Sequence, residues 1–413
     1  MSTRKEKIPT VRFRAFSEPW FQNQLSEVAE FSKGRGYSKK DIQPQGTPII
    51  LYGRLYTKYE SVISNIDTYA NMEKNSVISE GGEVIIPASG ESAAEISRAS
   101  CVTDGGVILG GDINIVKPHE SLASSFIAIT LSNGSQQREL SKRAQGKSVV
   151  HLHNSDLKAV KLFYPSYEEQ SAIGTLFRTL DDLLSSYKDN LTNYQSLKAT
   201  MLSKMFPKVG QTVPEIRLNG FEGEWVEKRL KDISKRVTRK NNDLVSERAL
   251  TISAQFGLID QEEFFQKKIA SKDVSGYYLI KKGEFAYNKS YSTGYPLGAI
   301  KRLDKYENGV LSTLYILFKA VDIDSDYLAH YYESDKWHRE VSMCAAEGAR
   351  NHGLLNIAPA DFFNTRLVIP KELAEQQAIG AYFSNLDNLI NSHQEKITQL
   401  ETLKKKLLQD MFI

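Results

Sequence analysis

Residues 168–207 read EEQSAIGTLFRTLDDLLSSYKDNLTNYQSLKATMLSKMFP, and residues 374–413 read AEQQAIGAYFSNLDNLINSHQEKITQLETLKKKLLQDMFI. The two segments align without a gap at an offset of 206, and 16 of 40 positions are identical, so the chain holds two copies of one module. In the first segment Ile173, Phe177, Leu180, Leu184, Tyr187, Leu191, Tyr194, Met201 and Met205 follow spacings of four and three, with Lys198 at the one polar seam position. In the second, Ile379, Phe383, Leu386, Ile390, Ile397, Leu400, Leu407 and Met411 keep that register, interrupted by His393 and Lys404. Neither segment has an internal proline, and a sustained 3.5-residue period predicts a coiled coil. A helix of ~36 residues would be roughly 54 Å long. Two equal helices separated by a domain-sized stretch predict an antiparallel pair that spaces two globular units. Ile173, Phe177, Leu180 and Leu184 with Ile379, Phe383, Leu386 and Ile390 are the expected partner-helix contacts.

The repeat extends upstream of the helices. Residues 11–31 (VRFRAFSEPWFQNQLSEVAEF) align with 216–236 (IRLNGFEGEWVEKRLKDISKR), so that Arg12, Phe16, Trp20 and Leu25 match Arg217, Phe221, Trp225 and Leu230. A strand-like run and a proline precede each helix, VKLFYP at 160–165 and TRLVIP at 365–370. The unit is therefore about 205 residues: a globular domain followed by a long helix. The expected division is a domain at 1–165, a helix at 166–207, a domain at 208–370 and a helix at 371–413. Strand-like runs at 47–52, 83–87, 106–109, 112–116, 250–253, 284–287 and 310–318, with Gly-Gly and Asn-Gly turns between them, predict α/β domains with curled mixed sheets. The interiors of the two domains do not align, which fits one architecture with two specificities.

Composition narrows the class. A 413-residue chain with 41% hydrophobic and 25% charged residues reads as a soluble protein of two to three domains. No apolar run approaches the ~20 residues that span a bilayer, and MSTRKEKIPT lacks the apolar core of a signal peptide. Two distant cysteines, Cys101 and Cys344, fit a reducing cytoplasm. The net charge of +3 arises outside the two helical segments, each of which is −1. That permits nucleic-acid binding without demonstrating it.

Catalytic signatures are missing: there is no HExxH, GxSxG or GxGxxG. AQGKS at 144–148 has Ser141 where a phosphate loop needs its first glycine, so Lys147 reads as a DNA contact or a solvated lysine. His151 and His153 lack the further ligands a metal needs and read as structural or DNA-facing. Nothing in the sequence marks Cys101 as an activated thiolate. A binding subunit is the better reading. Readers of DNA combine cations for phosphates with planar or amide groups for base edges. Clusters of that kind are Lys33, Arg35, Tyr37 and Lys39; Tyr52 and Arg54; and Lys142, Arg143 and Lys147. In the second half they are Arg236, Arg239, Lys240 and Asn241; Lys289 and Tyr291; and Arg350 and Asn351. The alternatives are a coiled-coil scaffold without a DNA role and an enzyme with an unrecognised site. Salt-dependent DNA binding tests the first, and turnover by the isolated chain tests the second.

The residues also carry a family resemblance. The tandem layout, the P-x-x-x-E-Q lead-in at 165–170 (with a similar 370–376), AIG-x-x-F-x-x-LD-x-L at 172–183 and 378–389, and FEGEW at 221–225 together resemble the specificity subunit of a type I restriction–modification enzyme. The first domain departs from that opening, with Ser17-Glu18-Pro19 where the second has Glu222-Gly223-Glu224. The resemblance implies two target-recognition domains, each reading one half of a split double-stranded DNA target, and helices that fix the gap. It further implies docking of two modification subunits that use S-adenosylmethionine to methylate adenine, joined by restriction subunits that use ATP and Mg²⁺. This chain would then be non-catalytic and carry no cofactor or metal of its own.

Overall fold

The computed structural model describes residues 8–146, 149–253, 257–267, 273–290, 294–344 and 355–412. The chain divides into two units, residues 1–188 with 395–413, and residues 189–394. Each is built from one repeat together with part of the other repeat's long helix.

In the first unit a five-stranded sheet runs in the order Ala29–Lys33, Ile113–Pro118, Glu83–Pro87, Ser100–Val102, Val62–Ile63. It is antiparallel except for the last pair. Glu83–Pro87 is buried along its whole length, which explains why its sequence is EVIIP rather than an alternating pattern. A four-stranded sheet orders Ile108–Leu109, Thr47–Ile50, Tyr69–Ala70 and Ile42–Gln43. The helix Ser124–Leu131 is apolar nearly all round, and its residues 126–131 are buried.

The second unit centres on a four-stranded antiparallel sheet ordered Ser234–Val237, Ile316–Ala320, Phe285–Asn288, Ala299–Arg302. The apolar run 310–318, expected as one strand, is two. Asn308–Leu311 pairs with Tyr278–Lys281, and Ile316–Ala320 lies in the main sheet. A turn closed by Tyr315 N donating to Ser312 O at 3.1 Å divides them. The Ser312-Thr313 pair was the polar break in that run.

Both units open alike. Phe21–Gln24 pairs antiparallel with Lys161–Tyr164, and Val226–Arg229 with Arg366–Ile369. A single helical turn follows each opening strand, Leu25–Val28 and Leu230–Ile233, and leads into an edge strand of the main sheet. The strand-like run before each helix is thus the partner of its own domain's first strand, which brings the domain's two ends together.

The long helices span Tyr167–Lys204 and Leu373–Asp410. Their lead-in motif fastens them to the domains. Arg12 donates from Nε and Nη2 to Glu169 at 2.7 and 2.6 Å, and Arg217 donates in the same way to Glu375 at 2.7 and 2.8 Å. Both carboxylates are buried. Gln170 accepts from Ala123 N and donates to Pro165 O, each at 2.9 Å. Gln376 accepts from Asp324 N and donates to Pro370 O, also at 2.9 Å. The glycine four residues further on is set by close approach: a Cβ on Gly174 would lie 2.3 Å from Ser125 Oγ, and one on Gly380 would lie 2.9 Å from Tyr327 N.

Candidate nucleic-acid interface

Within each unit the two helices run antiparallel. In the first, Lys404 pairs with Asp181, Lys188 with Glu401 at 2.7 Å, and Phe412 packs on Phe177 and Phe126 at centroid distances of 5.9 Å. In the second, Lys198 pairs with Asp387 at 2.5 Å, Tyr194 stacks edge-on with His393, and Phe206 packs on Phe383, Tyr327 and Tyr331. Asp181 and Asp387 occupy equivalent repeat positions, as do Lys198 and Lys404. The polar breaks in the seam are therefore two copies of one inter-helix ion pair, and such pairs specify orientation and register.

The seam residues do more than contact a helix. Ile173, Phe177, Leu180 and Leu184 are buried, the first three within the core that holds Trp20, Phe126 and Leu162. Ile379, Phe383 and Leu386 join the core of Trp225, Phe318 and Phe362, while Ile390 is half-buried. Met205 and Phe206 complete the second unit's core, and Met411 and Phe412 complete the first's. The heptad reading took in Met205 and Met411 but left unused the identical Phe206 and Phe412 that follow them at an offset of 206.

The basic stretch of the first unit leaves the edge strand Ala29–Lys33 as an ordered turn. Gly34 N donates to Ile113 O at 2.9 Å and Arg35 N to Leu109 O at 3.1 Å. A Cβ on Gly34 would sit 1.9 Å from Gly110 O, so only glycine fits. Ser38 caps the short turn Lys39–Asp41. Lys33, Arg35 and Lys39 project as exposed cations with no ion-pair partner among the described residues. Tyr37 instead clasps a neighbouring loop: its hydroxyl donates to Asn71 O, accepts from Glu73 N, and meets Ser76 Oγ. Tyr52 is 40% exposed. Arg54 is held by Asp67, Glu60 and Asn65 O at 3.0, 2.7 and 2.8 Å, so it organises its loop. Lys142 is exposed, whereas Arg143 donates to Glu139 and Ala159 O.

The second unit sorts the same way. Arg236 is exposed on the edge strand Ser234–Val237, the counterpart of Ala29–Lys33. Arg239 donates to both oxygens of the buried Glu284 at 3.1 and 3.2 Å and to Leu279 O. Lys240 donates to Gly276 O and lies 4.5 Å from the Tyr278 ring centroid. Asn241 is buried and bonded to Ser246 in both directions, which builds a turn and leaves its amide unavailable to a base. Lys289 is half-buried, donates to Ile357 O, and has its pKa lowered by desolvation. Lys147, Tyr291, Arg350 and Asn351 lie outside the described residues.

The groups tested for catalysis have other occupations. Burial pushes the Cys101 thiol up to about 11, opposite to activation. His151 and His153 stack with ring centroids 6.4 Å apart, and His151 approaches Ser89. His330, Glu333 and Asp387 bring together a ligand-like set. The Lys198 ammonium already lies 2.7 Å from Glu333 and 2.5 Å from Asp387, so this is an ion-pair network. A groove of about 1190 Å³ in the first unit has Arg138, Arg178 and Lys405 along it, cations scattered too widely in sequence to form a visible cluster.

The sequence profile described as type I restriction modification DNA specificity domain matches residues 17–195. By that domain the chain resembles the type I restriction–modification specificity subunits. It is similar over 408 residues to the type I restriction enzyme MjaVIII specificity subunit of Methanocaldococcus jannaschii, at 20% identity, covering 95% of this chain and 91% of that protein. Its fold is similar to the crystal structure of the type I restriction–modification S subunit from M. genitalium, with a TM-score of 0.60 and 16% identity, covering 98% of this chain and 99% of that one. That likeness extends over 98% of the chain, whereas the profile match stops within the first long helix.

Proposed function

We propose that this chain reads DNA for a type I restriction–modification complex, each globular part recognising one half of a bipartite double-stranded target. The observation that carries the reading is one repeated frame around two different interiors. The opening strand pair, the Arg–Glu clamp and the long helix recur, while the sheet that the opening strand leads into has five strands in one unit and four in the other. A shared frame with divergent interiors is what two readers of different half-sites require. Joining two readers in one chain raises the effective concentration of the second once the first has bound. Lys33, Arg35 and Lys39 in one unit and Arg236 in the other are the exposed cations that fit phosphate contacts. The helices would set the gap between half-sites and dock two modification subunits, which use S-adenosylmethionine. Restriction subunits using ATP and Mg²⁺ would join them. The chain itself would work in the cytoplasm, without cofactor or turnover. Co-expression with a modification subunit in a methylation-free host, followed by mapping of modified adenines, tests this. A split motif of fixed gap that disappears when this chain is omitted supports the reading, and no chain-dependent methylation from an intact complex refutes it.

A further inference from the structure

Phosphate contacts position a reader on DNA but carry no sequence information, so the exposed cations of the first unit need base-reading groups beside them. Residues 71–75 lie there. They follow the strand Tyr69–Ala70, and Ala70 pairs antiparallel with Ile42, the residue at which the basic turn enters the strand Ile42–Gln43. The pairing brings the basic turn and residues 71–75 out at the same end of that strand pair. Tyr37 ties the two together. Its hydroxyl donates to Asn71 O at 3.0 Å and accepts from Glu73 N at 3.0 Å. Glu73 N also donates to Ser76 Oγ at 2.9 Å, and Ser76 N donates to Glu73 O at 3.1 Å, which closes the loop into a turn. Tyr37 does this from a backbone φ of +58°, a left-handed conformation that a bulky residue keeps only where its surroundings fix it.

Residues 71–75 read Asn-Met-Glu-Lys-Asn, and all five are exposed. One lysine among them makes no basic cluster, so nothing in the sequence marks the segment. The bracing uses backbone atoms of Asn71 and Glu73, which leaves the Asn71 and Asn75 side-chain amides without a hydrogen bond among the described residues. An asparagine amide offers a donor and an acceptor side by side, the pattern that matches adenine N6 and N7 in the major groove. The basic turn and the loop together carry five exposed cations, Lys33, Arg35, Lys39, Lys40 and Lys74, with no ion-pair partner among the described residues. Of their two acids, Asp41 is engaged by Ser38 N and Oγ at 2.6 and 2.9 Å. The other, Glu73, is a carboxylate of the kind that accepts from cytosine N4. Protein interfaces are depleted in lysine, whereas uncompensated cations beside rigid amides suit a DNA groove.

We infer that residues 71–75 are the base-reading loop of the first unit, with Asn71 and Asn75 contacting adenine edges in the major groove of its half-site. Tyr37 is a positioning residue that holds this loop against the phosphate-binding turn. The inference rests on the proposed function and adds to it the element and the base type that the first unit reads. The second unit reads by other means, since Asn241, on the connection that follows its own edge strand, is buried and bonded to Ser246.

The test uses the full chain assembled with its modification subunit, and duplexes that carry the methylated motif mapped for that complex. The double variant N71A/N75A should weaken binding to that duplex by about tenfold or more. It should relax the motif in one half-site only and leave the gap unchanged. Replacing adenines of that half-site one at a time by 7-deazaadenine, which lacks the N7 acceptor, should weaken the unaltered complex at one or more positions and have no further effect on the double variant. Tyr37→Phe should relax the same half-site while the salt dependence of binding stays as in the unaltered complex, whereas Lys39→Ala should reduce that dependence and leave the motif intact. Both asparagines are exposed, so melting temperatures should not change. Asn75→Asp, which keeps the side-chain shape and replaces its donor, should turn preference away from adenine. A double variant that keeps the motif in both half-sites overturns the inference. So does one that relaxes both half-sites equally, or one that still responds to 7-deazaadenine as the unaltered complex does. An unaltered complex that methylates no split motif overturns the underlying functional reading and this inference with it.

Discussion

Phe412 belongs by sequence to the second repeat and by packing to the first unit. Its ring is 5% exposed and lies 5.9 Å from the centroids of both Phe126 and Phe177. Phe412→Ala removes a buried aromatic from a core that includes Trp20, Leu162 and Ile173. Truncations of this kind cost about 3–5 kcal/mol. A terminal helical turn can settle partly into the space, so the lower end, about 3 kcal/mol, is expected here. That is more than about 100-fold in the opening equilibrium, at tenfold per ~1.4 kcal/mol. The assay is native-state hydrogen exchange resolved by segment. Amides of Glu83–Pro87 and Ile113–Pro118 should exchange faster, while those of Phe285–Asn288 and Ile316–Ala320 keep their rates. Phe206→Ala should reverse the pattern, because Phe206 is buried against Phe383 and Tyr327 in the other unit. Acceleration in Phe285–Asn288 for Phe412→Ala, or no acceleration anywhere, would refute the idea that each helix end completes the unit that its own repeat does not open.

Arg217→Met should cost about 3–5 kcal/mol in denaturant unfolding, because it strands the buried Glu375 carboxylate, and adding Glu375→Leu should recover part of the loss. At Glu333, burial pushes the carboxyl up, but the hydrogen bond from His330 and the charges of Lys198 and Lys301 outweigh it and hold the pKa well below the usual range. A depressed folded-state pKa means the stabilisation is complete above the unfolded value of about 4.3 and is lost as pH falls below it. The second unit's unfolding midpoint should therefore drop on acidification below about pH 4, and less so in Glu333→Gln. Lys33→Ala and Arg35→Ala should each lower DNA affinity and reduce the salt slope by about one, whereas Arg239→Ala should act first on thermal stability because that guanidinium holds Glu284. Four residues inserted in one helix between Lys188 and Tyr194 would break the paired register, so matched insertions in both helices are needed. They add about 6 Å and should lengthen the unread gap by roughly two base pairs, which the methylated motif would report.

The sequence by itself determined the two long helices, since a seam spaced by threes and fours without proline has no other satisfactory burial. It also determined the modular frame, because Arg12 with Glu169 and Arg217 with Glu375 recur at matching offsets. Tertiary structure alone decided what the seam is buried against. Heptad spacing shows that Phe177 and Phe383 face something apolar but not that they share a core with Phe126 or Tyr327, which arrive from elements about 50 residues earlier in the chain. It also decided which cations have no ion-pair partner among the described residues. Lys33, Arg35 and Arg236 look no different in sequence from Arg54, Arg239 and Lys240, yet the latter are held by Glu60, Glu284 and Gly276 O. The physical reason is range. Periodicity and turn chemistry act over a few residues and can be read along the chain, whereas an ion pair such as Arg239 with Glu284 joins residues 45 apart and exists only once the sheet has brought them together.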